Sequence, residues 1–347
     1  MKKILSLIPI LIILHVNLFG QDVHFTQLNS APLMTNPALT GAFSANHRII
    51  VNYRSQWRNV TDSYMTYGLS YDLGFLKKEL KRSFLALGIQ FFNDQSGDIK
   101  LGLTHINLSI AYHLSANMHN VLAVGLQGGW YEKRLNVKNM IFGNQYDASS
   151  LGGYNPALPH GESMPFINID YGDFSAGILW SYNSRKSTVN TPETKKVSVG
   201  LALFHINRPR QTFSNSLTER LYMKFAYHIN SSIGFKNSRF FLLPSTAGFF
   251  QGPTYDVVFG NLFGVRLKKI SYYTDFNPET SIAIGAHYRI KDAIIIMGQL
   301  DWKNFLFCLS YDINTSKLYN ASKGAGGFEV SIRFMAPVSN AGKKNLY

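Results

Sequence analysis

Cysteine is all but missing. Cys308 is the only one in 347 residues, which excludes an intrachain disulfide framework and a Cys-rich zinc site. Charge is also scarce: Asp, Glu, Lys and Arg make up 16% of the chain, against about 25% in an ordinary soluble domain. After residue 20 no apolar run approaches the ~18 to 20 residues a membrane helix needs, and a mean hydropathy of −0.05 excludes a bundle of such helices. The formal charge of +14 contains no block of five or more Lys and Arg, so a nucleic-acid surface is not indicated. The basic clusters are short: Lys77-Lys78 with Lys81-Arg82, Lys195-Lys196, Lys268-Lys269 and Lys343-Lys344. They fall in turns or at the terminus, as positive rims facing acidic head groups or acidic partners would. What the chain does have is 14% aromatic residues within 46% hydrophobic ones, spread along its length, which excludes disorder. Few charges, many aromatics and neutral hydropathy suit residues that alternate between oil and water.

The first twenty residues read as a leader. Lys2 and Lys3 precede an apolar core from Ile4 to Leu14, and a short exit ends at Gly20. This is a Sec-type signal peptide, too short to span a membrane. Cleavage after Gly20 would leave Gln21 first, which is not a lipoprotein start. Without Lys2 and Lys3 the formal charge falls from +14 to +12.

Beyond the leader, period-two alternation recurs. Met65, Tyr67, Leu69, Tyr71 and Leu73 share one face, opposite Thr66, Gly68, Ser70 and Asp72. Ile106, Leu108, Ile110, Tyr112 and Leu114 stand against Asn107, Ser109, Ala111 and His113. Similar runs begin at Leu122, Val197, Leu221, Ile282, Phe305 and Phe328. Such alternation, rich in β-branched and aromatic residues, marks strands. A soluble two-sheet sandwich would carry Lys and Glu on its second face; here that face is Gly, Ser, Ala, Asn, Gln and His. Aromatics cap the strand ends at Tyr71, Tyr112, Trp130, Trp180, Tyr288 and Trp302. An apolar band, aromatic girdles and a polar interior describe a barrel in lipid.

The expected fold is therefore all-β: a transmembrane antiparallel β-barrel of about 14 strands, even-numbered as bacterial barrels are, preceded by an N-terminal extended segment. No internal repeat or linker divides it. The reading gives a signal peptide over 1–20, a periplasmic or plug segment over 21–45, the barrel over 46–336 and a tail over 337–347. Arg134 to Met164, Asn183 to Lys196 and Asn207 to Glu219 are the candidate long loops, placed together on the extracellular side.

The mature start runs Gln21-Asp22-Val23-His24-Phe25-Thr26-Gln27, then Ala31-Pro32-Leu33-Met34-Thr35-Asn36-Pro37-Ala38-Leu39-Thr40-Gly41, with Val51-Asn52-Tyr53-Arg54-Ser55-Gln56-Trp57 following. Near the other end come Leu309-Ser310-Tyr311-Asp312-Ile313-Asn314 and Gly326-Gly327-Phe328-Glu329-Val330. These segments, with shorter ones at Gly200 to His205 and Leu243 to Ser245, closely resemble the PorP/SprF family of the Bacteroidetes type IX secretion system. One departure is Thr246 to Phe250, which lacks the Lys common there in relatives.

The resemblance implies an outer-membrane barrel of the type IX secretion and gliding apparatus, bound to a periplasmic ring lipoprotein, to a secreted surface adhesin, or to both, and surrounded by outer-membrane lipid. It directs attention to Asn36, Pro37, Gly41, Asn52, Arg54, Trp57, Ser310, Tyr311, Asp312, Phe328 and Glu329 as structural or partner-contact residues. Asn36-Pro37 reads as a turn, since Pro fixes φ and lacks a donor. Arg54, Asp72, Asp312, Glu329 and Arg333 fall on the lumen face, where a buried charge needs a partner.

No catalytic or metal-binding motif occurs, so no cofactor, metal or catalytic residue is expected. The nine histidines after the leader include no H-E-x-x-H and no zinc spacing. His105 and His113 are eight apart, about 27 Å along one strand at ~3.3 Å per residue. No G-x-S-x-G occurs, and Ser322-Lys323-Gly324-Ala325-Gly326-Gly327 lacks the P-loop spacing. Two alternatives to a secretion component stay open: a channel for a hydrophobic or small solute, and a surface enzyme assembled from separate strands.

Overall fold

The computed structural model describes residues 22–60, 62–75, 82–97, 99–136, 140, 142–150, 152–161, 168–184, 195–213, 219–236, 238–268, 280–317 and 319–336. The leader over 1–20 and the tail over 337–347 lie outside the described residues, as do parts of the three candidate long loops. Among the described residues fourteen strands follow one another: β1 (His47–Gln56), β2 (Tyr64–Phe75), β3 (Ser83–Ser96), β4 (Leu101–Ser115), β5 (Asn120–Arg134), β6 (Asn168–Asn183) and β7 (Lys195–Phe204). The second half has β8 (Lys224–Gly234), β9 (Phe240–Gln251), β10 (Thr254–Lys268), β11 (Thr280–Arg289), β12 (Ala293–Trp302), β13 (Phe305–Asn314) and β14 (Ala325–Met335). Each pairs antiparallel with its chain neighbours, and β1 pairs with β14 from Arg48↔Met335 to Gln56↔Gly327, closing the barrel. Closure matters because an open edge in hydrocarbon would leave backbone groups unpaired at several kcal/mol each. Among the described residues no helix is long and apolar enough to cross a membrane. The strands do the crossing.

The alternation decides which way each residue points. Leu108 is 63% exposed while its neighbour Ser109 is 3% exposed. The same inversion holds for Leu69 against Ser70 and Leu126 against Gln127. The outside is thus apolar, and the buried set mixes polar residues with apolar clusters such as Leu28, Phe204 and Phe249. Outward aromatics cluster near strand ends: Tyr112, Trp180 and Trp302 toward one end, Trp130 and Tyr288 toward the other. One expected strand residue behaves differently. The alternation at Leu221 precedes β8, which begins at Lys224; Leu221 turns inward, its N–H donating to Pro209 O at 2.9 Å.

Antiparallel order also corrects the placement of the loops. Connections 135–167 and 205–223 follow β5 and β7 and share one end of the barrel. Connection 184–194 joins the end of β6 to the start of β7, so its anchors Asn183 and Lys195 sit at the opposite end of the barrel from the anchors of the other two. Below, the end reached by the odd-numbered strands is the loop end, and the other is the turn end.

The N-terminal segment does not continue as an extended strand. It forms a 3-10 turn (Leu28–Ser30), a single-turn helix (Pro32–Thr35) and a second 3-10 turn (Pro37–Leu39). Proline opens the latter two, where a missing N–H costs nothing. The physical reason for turns is the closed ladder around them. With every strand edge already paired, an extended segment inside has no edge to join, and its backbone groups must be satisfied locally or by side chains. The turns supply Asn36 N→Pro32 O at 2.9 Å and Leu39 N→Asn36 O at 3.0 Å.

Candidate functional site

The segment from Asp22 to Ala45 runs through the barrel interior from the loop end to the turn end. Asp22 meets His205, Lys224 and Gln251 at the loop end, Leu33 meets Gln127 midway, and Gly41 meets Asp72 at the turn end. Thr26, Gln27, Ser30, Thr35, Asn36 and Thr40 are all buried within it. Polar residues survive such burial only with partners, and the lumen face of the strands provides them at three levels.

The first level is the seam where the barrel closes. Register places Arg54 directly opposite Glu329 and Ser310 opposite Glu329 on the other side. The Glu329 carboxylate accepts from Thr26 N at 2.7 Å and Gln27 N at 3.0 Å, and pairs with Arg54 Nε at 3.0 Å. Gln27 donates to Ser310 Oγ and to Glu329 O, both at 3.1 Å, and accepts from Ser331 Oγ at 2.6 Å. Thr26 Oγ1 donates to Asp312 at 3.2 Å and accepts from Arg289 at 2.6 Å, while Arg289 also pairs with Asp312 at 2.9 Å. Arg54 lies 3.7 Å from Asp312 and donates to His24 O, and His24 pairs with Asp256 at 2.5 Å. Two arginines thus face three carboxylates around one stretch of threaded chain.

The second level is the Asn36-Pro37 turn. Asn36 Oδ1 accepts from Ala38 N at 2.8 Å, and its Nδ2 donates to Ile178 O at 3.0 Å and Leu201 O at 3.2 Å. The wall opposite is cut away to admit it: a Cβ on Gly125 would lie 2.4 Å from Ala38 N, and one on Gly177 would lie 2.0 Å from Asn36 Oδ1. The third level closes the turn end. Gly41, at φ 73, donates its N–H to Asp72 at 2.8 Å, and Arg48 forks onto the same carboxylate at 2.9 and 2.6 Å while donating to Leu39 O at 3.0 Å. Stacked on Phe84, His113 meets Thr40 O at 2.7 Å.

The motif residues therefore divide. Asn36, Pro37, Gly41, Asn52, Arg54, Ser310, Asp312 and Glu329 all belong to the threaded segment or its bonding partners, Asn52 donating to Ser30 O at 3.0 Å. Tyr311 and Phe328 are opposite one another in register on the outer face, 43% and 39% exposed. Trp57 leaves β1 at φ 56 and packs edge-on against Tyr64. Arg333 points inward opposite Ile50 and Leu306, and its Nε meets no hydrogen-bond partner among the described residues. The sequence reading missed Arg48, Arg289 and Asp256. The first two were within reach by parity: Arg48 shares the face of Asn52 and Arg54, and Arg289 that of His287.

It also missed a latch at the loop end. His205, at φ 57, meets Asp173 at 3.0 Å through Nδ1 and Asp22 at 2.5 Å through Nε2, and Lys224 reaches the same Asp22 oxygen at 2.9 Å. Burial alone would raise the Asp22 carboxyl, yet Lys224 and His205 hold it well below the ordinary value. Burial would lower His205, but the Asp22 charge and the Asp173 hydrogen bond raise it. These groups are distant in sequence and no local pattern announces them. Beyond the latch, the described part of connection 135–167 is organised around Asp147. It accepts from Ser149 Oγ and N, Ser150 Oγ and Asn155 Nδ2, hydrogen bonds that pull its pKa down to about 2. Among the described residues no group of three His, Cys, Asp or Glu could hold a metal ion.

A family model described as type IX secretion system membrane protein PorP/SprF matches residues 17–334. The chain belongs to the PorP/SprF family. It is accordingly an outer-membrane β-barrel of a type IX secretion family, and both motif-bearing ends of the PorP/SprF match meet at the closure seam. No curated protein matches the chain. Solved structures similar to it include the P. putida toluene transporter TodX, at 11% identity and TM-score 0.42, covering 89% of this chain and 95% of that one. The CymD monoaromatic hydrocarbon channel is 11% identical with TM-score 0.43, covering 92% and 95%. A Pseudomonas aeruginosa FadL homologue is 9% identical with TM-score 0.42, covering 86% and 92%. None of these likenesses bears on function.

Proposed function

We propose that this PorP/SprF chain is a sealed, non-enzymatic docking barrel of the type IX secretion and gliding machinery, which binds a secreted adhesin or the periplasmic motor ring and so supports export or surface attachment. The observation that carries this reading is the threaded segment. An open porin-type barrel keeps a water-filled path through its lumen, whereas here residues 22–45 occupy the interior at three bonded levels. What such a barrel offers to other proteins is its two ends. Barrels in outer membranes carry their longer connections outside, so the loop end faces the exterior and the turn end the periplasm. The loop end presents a hydrogen-bonded connection around Asp147 with Tyr146 71% exposed, a built surface for a secreted protein. Asn36, Arg54, Asp312 and Glu329 act within this reading as retainers of the plug, and partners meet the ends.

The test is purification of the tagged chain from native outer membranes in mild detergent, with mass spectrometry of what accompanies it. A periplasmic ring lipoprotein or one large surface adhesin in stoichiometric amount supports docking. Neither partner, together with steady solute flux through the purified barrel, would transfer the chain to the channel reading.

A further inference from the structure

Charge is divided unequally between the two ends of the barrel. Of the fourteen Asp and Glu among the described residues, twelve lie in the loop half, and two, Asp72 and Asp301, lie in the turn half. Arg48 already holds the Asp72 carboxylate. Basic residues of the loop half have acids at hand, as in Arg134 with Glu132 at 2.8 Å and Arg289 with Asp292 at 3.2 Å. At the turn end Arg82, Lys195, Lys236, Arg239 and Lys303 are exposed. In sequence, the stretches 76–81, 184–194 and 269–279, whose anchors sit at this end, carry six Lys and Arg against four Asp and Glu, so they add no excess of acid.

The placement of these cations matches a lipid leaflet. Arg82 precedes β3, Lys195 begins β7, Lys236 and Arg239 stand between β8 and β9, and Lys303 stands between β12 and β13. They form a collar around the barrel, whereas one docked protein would cover one sector. The collar also lies where the lipid-facing surface ends. Lys195 shares the outward face of Leu201 and Leu203, and the Lys303 ammonium lies over the Trp302 ring, 5.1 Å from its centroid. Phe235 and Phe240, both exposed, close the turn that holds Lys236 and Arg239. Aromatic rings mark the head-group level, and Lys and Arg stems follow apolar surface while their charge reaches beyond it. The collar is densest between β7 and β9, because register sets Lys195 opposite Ile233, three residues before Lys236. Trp180 is exposed on the neighbouring β6.

We propose that the turn-end collar is a binding surface for anionic phospholipids, which it selects over zwitterionic ones through Lys195, Lys236, Arg239 and Lys303. The lipid phosphates meet the cations while the acyl chains lie along the apolar outer face below them. Basic side chains at a membrane surface gain affinity for anionic lipid one by one, so the selectivity belongs to the turn end and is absent from the loop end. The surface stands on the outer rim alone, so it holds or fails independently of which protein the barrel docks.

The test is tryptophan fluorescence of the full chain in vesicles of brominated phosphatidylcholine mixed with increasing unbrominated phosphatidylglycerol, which relieves quenching wherever it displaces the brominated lipid. Trp57→Phe with Trp130→Phe leaves Trp180 and Trp302 as turn-end reporters. Trp57→Phe, Trp180→Phe and Trp302→Phe together leave Trp130 as the loop-end control. Both leaflets hold the same mixture, so the orientation of the barrel does not matter. Phosphatidylglycerol should associate about threefold or more strongly than phosphatidylcholine at the turn-end reporters and about equally at Trp130. The turn-end preference should fall toward equality in about 0.5 M KCl, where surface charge is screened. Adding Lys195→Gln, Lys236→Gln and Arg239→Gln should at least halve it, with heat-modifiable gel mobility confirming a closed barrel. The same preference at both ends, or one that survives the three substitutions, would overturn the proposal. So would substitutions that leave the lipid preference intact but remove a copurifying protein, since the collar would then be a protein surface.

Discussion

Replacing Glu329 by Gln tests the plug at its most bonded point. The carboxylate takes Thr26 N at 2.7 Å, Gln27 N at 3.0 Å and Arg54 Nε at 3.0 Å, and it is 2% exposed. Glutamine keeps the shape and one acceptor oxygen but removes the charge, and its NH₂ group faces donors. Breaking a buried pair from one side typically costs about 3–5 kcal/mol because the remaining charge is stranded. Here Arg54 can lean toward Asp312, 3.7 Å away, so the lower end applies, about 3 kcal/mol. Since ~1.4 kcal/mol is a factor of ten, the docked population of the 22–34 stretch should fall by about two decades relative to the undocked one. The assay is amide hydrogen exchange of the peptide containing Thr26 and Gln27, with a strand peptide from β4 as internal reference. Exchange at Thr26 and Gln27 should accelerate about 100-fold while β4 is unchanged. Acceleration of less than threefold would refute the role given to Glu329.

Asn36→Ala removes a cap and two donors to wall carbonyls. At about 1 kcal/mol per hydrogen bond it should speed exchange of the Pro37–Thr40 stretch at least tenfold, measured in the same way. Leu108→Arg places a charge at the middle of β4 on the outer face, where Leu108 is 63% exposed. Barrel stability should drop by about 2–4 kcal/mol in urea-driven unfolding from vesicles, whereas Leu108→Ile should cost little. The latch gives a pH dependence with a definite sign. His205 is raised by Asp22 and Asp173 against burial and Lys224, so its contribution is complete below the ordinary histidine value near ~6.5 and disappears as pH climbs through the raised one. Asp22 is lowered, so its contribution is complete above the ordinary carboxylate value near ~3.9 and disappears on acidification through the lowered one. Exchange-corrected protection at Val23 should therefore be greatest in mildly acidic buffer and should decline toward pH 9; protection that rises steadily with pH would contradict the latch.

The sequence was most informative about what repeats. Period-two runs such as Met65 to Leu73 and Ile106 to Leu114 fixed both the strands and their outward faces, because a barrel wall in lipid forces each residue to one side or the other. The closure seam was legible in pieces: Arg54 and Glu329 were both assigned inward, but their contact depends on β1 pairing with β14, which neither segment encodes alone. Loop placement failed for a topological reason, since counting strands between Arg134 and Lys196 puts the anchors of the two connections at opposite ends. The latch was beyond reading. Asp22, Asp173, His205 and Lys224 come from the threaded segment, β6, the connection after β7 and β8, and only the path of the segment through the lumen brings them together.

The chain's own N-terminal segment closes the lumen, and ion conductance in planar lipid bilayers measures that closure directly. The purified, folded chain should be electrically silent in concentrated KCl, with stepwise openings appearing when Glu329→Gln is combined with Asn36→Ala to release the segment. A steady, voltage-independent conductance from the unaltered chain would contradict a sealed docking barrel.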